Sequence, residues 1–212
     1  MFMQNCPLCK SEAFEFCTIK ERVFYSCSVC KGVFVDKNAL PSKESERSRY
    51  LSHNNDINDS HYQSFVNPIV DSVLTDFSSD HIGLDFGAGP GPVISKLLND
   101  RGLNTKLFDP FFHNNPELLR RKYDYIICCE VMEHFYNPRK EFILLKELLR
   151  NNGKIYCMTA IYDDSIDFKS WHYKNDKTHV FFYKKETLEY IYKEFNFLDL
   201  RIADNLIVFS LK

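Results

Sequence analysis

The sequence predicts an α/β protein: a mostly parallel sheet ending in an antiparallel C-terminal hairpin, with a small cysteine-paired β module at the N-terminus. Three observations lead there. An apolar run from Ile82 to Phe86 enters three glycines spaced two apart, Gly87, Gly89 and Gly91. An amphipathic run from Val93 to Leu98 follows, so the stretch reads as strand, tight turn and helix start. Beyond it β-prone and helix-prone runs alternate, the pattern of βα units. Four of the eight cysteines fall as two C-x2-C pairs, Cys6/Cys9 and Cys27/Cys30, with 17 residues between the pairs.

At 212 residues the chain has room for one substantial core and a small extra module. Residues 1–38 read as that module. Two cysteines three apart at a tight turn aim both thiolates at one ion, and two such knuckles complete a tetrahedron. Short β-prone runs at Phe14, Phe16 and Val23-Phe24-Tyr25, and a returning strand after Gly32, fill in a zinc ribbon. Cys6, Cys9, Cys27 and Cys30 close the shell, so the zinc is structural, and so small a core depends on it for folding. Cys17 reads as a spare buried thiol. On this basis chelation unfolds residues 1–38 and leaves ligand binding elsewhere largely intact.

Residues 39–80 read as a polar connector followed by helices. Ser42 is placed to cap a short helix, and His53-Asn54-Asn55-Asp56 to break it. From His61 to Phe77 the residues Tyr62, Phe65, Val66, Ile69, Val70, Val73 and Leu74 recur at helical spacing, with Pro68 as a bend or a division. Residues 81–212 hold the sheet. A second strand, Thr105 to Phe108, ends at Asp109-Pro110. Tyr123 to Cys129 is nearly continuously apolar, as a central parallel strand is. Pro138 starts a helix that Asn151-Asn152-Gly153 stops, and Lys154 to Thr159 is the next strand. A helix spans Lys185 to Glu194, and the runs 197–202 and 206–211 pair around Asp204-Asn205 as a hairpin.

These elements narrow the ligand. The glycines let the backbone pass close to a bound group, and the helix start behind them offers unpaired N–H groups. The Gly-x-Gly-x-Gly spacing fits a nicotinamide dinucleotide less well than G-x-G-x-x-G, and no Gly-Lys-Ser/Thr follows to make a P-loop. Asp109 lies 18 residues beyond Gly91, at the end of the second strand. A carboxylate there accepts hydrogen bonds from both hydroxyls of a ribose lying over the turn. The ligand is therefore expected to carry adenosine. A formal net charge of −2 argues against a generally basic nucleic-acid binder. No apolar run approaches the roughly 18 residues a membrane helix needs. The N-terminus shows no signal-peptide pattern, so a cytoplasmic location is expected.

The ordered set Leu84-Asp85-Phe86-Gly87-Ala88-Gly89-Pro90-Gly91, Asp109, Cys129-Glu130-Val131-Met132-Glu133-His134-Phe135 and Asn152-Gly153-Lys154 resembles the class I S-adenosylmethionine-dependent methyltransferases. The resemblance covers roughly Ile82 to the end, and the cysteine-pair module with its connector recurs in bacterial members. It implies a Rossmann-like methyltransferase sheet, with Asp85, Gly87 and Gly89 at the methionine end of the cofactor. Asp109 would hold the ribose, and Cys129 and Glu130 would flank the sulfonium. Ala88, Gly91, Pro110 and Phe111 complete the implied cofactor set. Such enzymes usually carry a third strand with an acid near the adenine. Here only Pro110 to Lys122 is left for it and contains no Asp, which leaves Phe111 and Phe112 to stack on the base. Helices ahead of the first strand often form a lid, so Tyr50, His53, Asn55 and Tyr62 either face the ligand or serve packing. His134 and His179 are the candidate bases, and Trp171, His172, Tyr173 and Asp176 the candidate substrate wall. The expected acceptor is a small molecule. The alternatives are RNA or protein methylation with the ribbon as a docking module, or a non-catalytic cofactor-binding scaffold. In the ribbon Lys10, Lys20, Arg22, Lys31 and Lys37 are partly offset by Glu12, Glu15, Glu21 and Asp36, which disfavours nucleic acid.

Overall fold

A computed structural model describes residues 3–52 and 56–212; His53 and Asn55 lie outside the described residues. In chain order the strands are β1 (Met3–Asn5), β2 (Glu12–Ile19), β3 (Arg22–Cys27), β4 (Val33–Val35), β5 (Ile82–Phe86), β6 (Asn104–Phe108), β7 (Tyr123–Cys129), β8 (Leu149–Met158), β9 (Phe181–Phe182), β10 (Asp199–Ala203) and β11 (Leu206–Ser210). The helices are α1 (Lys43–Leu51), α2 (Ser60–Asp76), α3 (Val93–Asp100), α4 (Pro138–Leu148) and α5 (Lys185–Glu194).

The large sheet has the order β10-β11-β8-β7-β5-β6. Strands β6, β5, β7 and β8 run parallel, while β11 and β10 are antiparallel, as expected of the closing hairpin. Both faces are covered, and side chains alternate between two cores as a pleat requires. Ile155, Cys157, Ile207 and Phe209 pack on α4 and α5, while Tyr156, Met158, Leu206 and Val208 pack on α2 and α3. The chain leaves β5 toward β6 on one side and returns to β7 on the other, so the glycine turn opens at the switch point of the sheet, where open α/β sheets bind ligands. No third strand forms on the far edge. Residues 110–122 hold only a 3-10 turn, Pro116–Arg120.

Two local expectations shift. The strand predicted from Lys154 begins instead at Leu149, directly after α4, and Asn152 adopts φ 63° within it. The register slips between Tyr123 and Tyr125, which absorbs the extra residues as an irregularity, and the strand ends at Met158 rather than Thr159. Helix α2 continues through Pro68, capped at its start by the Asp59 carboxylate. Ser42 caps α1 as its position predicts.

The N-terminal strands do not stand alone. Their sheet runs β1-β2-β3-β4-β9, so a two-residue strand from beyond residue 180 completes it. The aromatic ring of Phe181 lies where a Cβ on Gly32 would be, at 2.4 Å, and only glycine lets β4 approach it. Leu8, Tyr25 and Phe34 share one core with Phe181, Tyr183 and α5, and Phe24, Val33 and Val35 share another with Tyr162, Phe168 and Phe182. The small module is thus packed on both faces by the segment 161–183.

Candidate active site

The cysteine pairs fold as two matching knuckles. Cys6 N–H donates to Ser11 and Lys10 N–H to Cys6, while Cys27 N–H donates to Gly32 and Lys31 N–H to Cys27. Lys10 and Lys31, each following the second cysteine of its pair, take positive φ. Sulfur atoms lie 3.5 Å apart for Cys6 and Cys30 and 3.2 Å apart for Cys9 and Cys27. A tetrahedral ion at about 2.3 Å from each sulfur needs separations near 3.8 Å, so the four thiols fit zinc with small outward movement. Hydrogen bonds from Cys30 and Cys6 hold the Cys27 thiol far below the usual range. Cys17 stands apart, half-buried beside a bulge in β2, and is not part of this cluster.

The mouth of β5 is built for close approach. Gly87 takes φ 87°, and a Cβ there would meet Val131 at 2.5 Å; Gly89 takes φ 63°. Asp109 braces the turn, its Oδ2 accepting from Gly89 N–H (3.0 Å) and its Oδ1 from Phe111 and Phe112 N–H (2.8 and 3.1 Å). With three of its lone-pair sites taken, the carboxylate keeps one on Oδ2 for a further donor, which suits a ribose hydroxyl. Asp85 is buried under the turn and accepts from Ser95 Oγ at 2.7 Å; burial pushes its carboxyl up to about 6. Glu130 follows β7 with φ 51°, a conformation L-residues hold only when their surroundings impose it. Cys129, Glu130, Phe111 and Gly91 are half-buried, Ala88 is buried and Pro110 exposed. The glycine cradle and the braced Asp109 fit an adenosyl ligand.

Beside this mouth lies a polar cluster. A 3-10 turn, Met132–His134, delivers Glu133 and His134, and residues 172–179 bring Tyr173 and His179. The imidazoles of His134 and His179 lie 4.9 Å apart, and Tyr173 lies 4.1 Å from His179. His134 Nδ1 contacts Thr178 O at 2.9 Å, and His179 Nδ1 contacts Tyr173 O at 2.7 Å. A carbonyl only accepts, so both Nδ1 atoms carry hydrogen. The Tyr173 hydroxyl sits between Glu133 Oε1 (2.6 Å) and Glu130 Oε2 (3.0 Å), its one hydrogen serving a single carboxylate at a time. Burial pushes the Glu133 carboxyl up to about 7.

The glycine turn and the polar cluster are joined. The Tyr50 ring of α1 lies 5.7 Å from Phe111 and 5.3 Å from His134, so α1 covers the junction. Tyr62 packs in the α2/α3 core, where Asp85 and Glu130 act on its hydroxyl. Outside the cluster an open groove of about 940 Å³ is lined by Glu130, Tyr173, His179, Arg49 and His172, and by Arg22 of the ribbon.

Of the candidate wall residues, Tyr173 enters the cluster and the exposed His172 lines the groove. Asp176 also lines it but works as a brace, accepting from Thr178 and pairing with Arg49 at 2.8 Å. Trp171 goes elsewhere. Its indole packs among Tyr162, Phe168, Tyr173 and Phe182. Sequence reasoning gave no role to Glu133 or Arg22. The Arg22 guanidinium donates to the carbonyls of Lys174, Asp176, Lys177 and His179, tying four residues of the loop to the ribbon.

The mostly parallel sheet, its switch-point glycine turn and the antiparallel hairpin define a class I S-adenosylmethionine-dependent methyltransferase. Residues 59–201 match a family model described as a methyltransferase domain, and the chain belongs to that family. No curated protein sequence matches it. Among solved structures, human N-acetylserotonin methyltransferase in complex with S-adenosylmethionine aligns with TM-score 0.54 at 12% identity, over 80% of this chain and 56% of that one. A Burkholderia thailandensis 1,6-didemethyltoxoflavin-N1-methyltransferase, solved with bound 1,6-didemethyltoxoflavin and S-adenosylhomocysteine, aligns with TM-score 0.53 at 12% identity, over 93% and 99%. An O-methyltransferase family protein from the same bacterium aligns with TM-score 0.50 at 10% identity, over 69% and 55%. The chain thus spans about half the length of the first and third of these. No helix among the described residues is long and apolar enough to cross a membrane.

Proposed function

We propose that this methyltransferase acts on a small-molecule acceptor held in the groove, with S-adenosylmethionine across the turn at Gly87 and a structural zinc in the ribbon. The single observation that carries it is the junction. Val131 fills the space behind Gly87, and Tyr50 touches both Phe111 of the donor side and His134 of the acceptor side. The donor, when bound, supplies a methyl group on a sulfonium that is already a good leaving group. The chain then has to position the acceptor, exclude water and remove a proton. His134 and His179 are the proposed bases, and Tyr173, His172 and Asp176 the proposed acceptor-side residues. Asp85, Gly87, Ala88, Gly89 and Gly91 would hold the methionine end, Asp109, Pro110 and Phe111 the nucleoside, and Cys129 and Glu130 the sulfonium. The groove mixes Arg22, Arg49 and Lys177 with Glu21, Glu130 and Asp176, which suits a polar small molecule better than a polyanion.

Radiolabelled methyl transfer into fractionated extract tests the acceptor class. Label in the small-molecule fraction is expected; label confined to RNA or protein would contradict the proposal.

Asp85 adds a pH dependence. Its carboxyl titrates near 6 in the free protein because burial disfavours the charge, and a ligand ammonium group favours the carboxylate. Binding therefore releases a proton below that pH. Affinity should fall as pH drops through 6, by up to about tenfold per unit. Calorimetry of cofactor binding at pH 5.5 in two buffers of different ionisation enthalpy should show the release; identical heats would contradict it.

A further inference from the structure

His113 stands out beside the glycine turn. It pairs with Asp109 as an isolated antiparallel bridge, Asp109 N–H donating to His113 O (3.2 Å) and His113 N–H to Asp109 O (3.1 Å). Directly opposed residues of such a pair send their side chains to the same face, with Cβ atoms about 5 Å apart. Asp109 fixes which face that is, because its carboxylate turns to Gly89 N–H. The His113 ring therefore stands next to that carboxylate, on the side of the turn. The residue is half-buried, yet its Nε2 is closed off from water and has no hydrogen-bond partner among the described residues. Leaving a buried polar atom unpaired is costly, and such an atom calls for a partner.

The surroundings are aromatic. Helix α1 lies over the same segment, with the Arg47 guanidinium 6.0 Å from the centre of the Phe112 ring and the Tyr50 ring 5.7 Å from that of Phe111. Both phenylalanines are half-buried. A flat heterocycle that stacks on such rings and offers a hydrogen-bond donor at its edge is the chemistry this corner takes.

We infer that His113 recognises the nucleobase of the methyl donor, Nε2 accepting from the exocyclic amine of adenine. The inference rests on the donor lying across the turn at Gly87. An imidazole reaches further from the backbone than a carboxylate does. With a ribose hydroxyl on Asp109, His113 meets the base at the edge remote from the sugar, where adenine carries its amine. Because Nε2 is shielded in the free protein, the segment 110–113 yields slightly as the base enters. His113 is thus a specificity-determining residue for the donor, with no part in the transfer itself.

The test compares S-adenosylhomocysteine with S-inosylhomocysteine, in which a carbonyl replaces the amine, by calorimetry on the full chain with its ribbon metal in place. The wild-type chain should bind the adenine compound at least about fivefold more tightly. His113→Phe keeps a flat ring and removes both nitrogens. It should weaken S-adenosylhomocysteine binding roughly five- to tenfold and S-inosylhomocysteine binding by less than about twofold. His113→Gln, which returns an acceptor near the same position, should restore most of the preference. A purely structural ring would weaken both compounds alike in the Phe variant, and an idle one would weaken neither; either result overturns the inference. Equal affinity of the wild-type chain for the two compounds overturns it whatever the variants do, and leaves the methyl-donor site standing. Binding of neither compound sinks that site and this inference together.

Discussion

Asp109→Ala is expected to weaken S-adenosylmethionine binding roughly a hundredfold or more. A hydrogen bond from a ribose hydroxyl to a carboxylate contributes about 1.5–3 kcal/mol, and 1.4 kcal/mol is a factor of ten in affinity. The same side chain accepts from the N–H groups of Gly89, Phe111 and Phe112, so its removal also releases the turn it braces. Asp109→Asn separates the two effects. It keeps one acceptor oxygen for the turn and loses the charge, and should fall between wild type and alanine. Calorimetry checks both, and an alanine variant within threefold of wild type would contradict the ribose assignment.

Removing the ribbon metal is expected to abolish methyl transfer while leaving cofactor affinity within about threefold. On one face the donor side is packed by the cluster of α2, α3, Tyr125, Ile127 and Tyr156, which includes no ribbon residue, while on the other Phe86 and Phe108 belong to the large core that extends to the ribbon. The acceptor side is different. Its loop is tied to Arg22, its strand β9 pairs with β4, and Phe181 and Tyr183 share a core with Cys6, Cys27 and Cys30. Structural zinc binding is worth about 10–16 kcal/mol in small zinc modules, comparable with the whole stability of a domain. Loss of the ion should therefore take residues 172–183 with it. Chelation or Cys6→Ser, followed by parallel assays of cofactor binding and label transfer, checks this. Full transfer activity after complete loss of zinc would contradict it. Unfolding of residues 1–38 alone, the expectation from sequence, leaves out the strand that they borrow.

What the sequence carried was local. The glycine turn, the acid at the end of β6, the paired cysteines, the apolar run of β11 and the Asp204 turn each declare themselves within a few residues. The departure at the third strand was legible too, since only Pro110 to Lys122 is left for it and the stretch holds no Asp. The rest depends on distance. Strand β9 is two residues long and has no period to read; it exists because Gly32 lets Phe181 in. Arg22 and the 174–179 carbonyls are about 150 positions apart. Glu133 stood in view beside His134, but only the fold brings His179 to them. The Glu-His dipeptide at the end of a central strand was the signal that pointed there.

The most direct measurement is a crystal structure with S-adenosylhomocysteine. Its ribose should lie against Asp109 and its amino-acid end beside Asp85 and Gly87, at the open end of β5 and β6. A ligand bound elsewhere, or none at saturating concentration, would contradict the assignment of this pocket as the methyl-donor site.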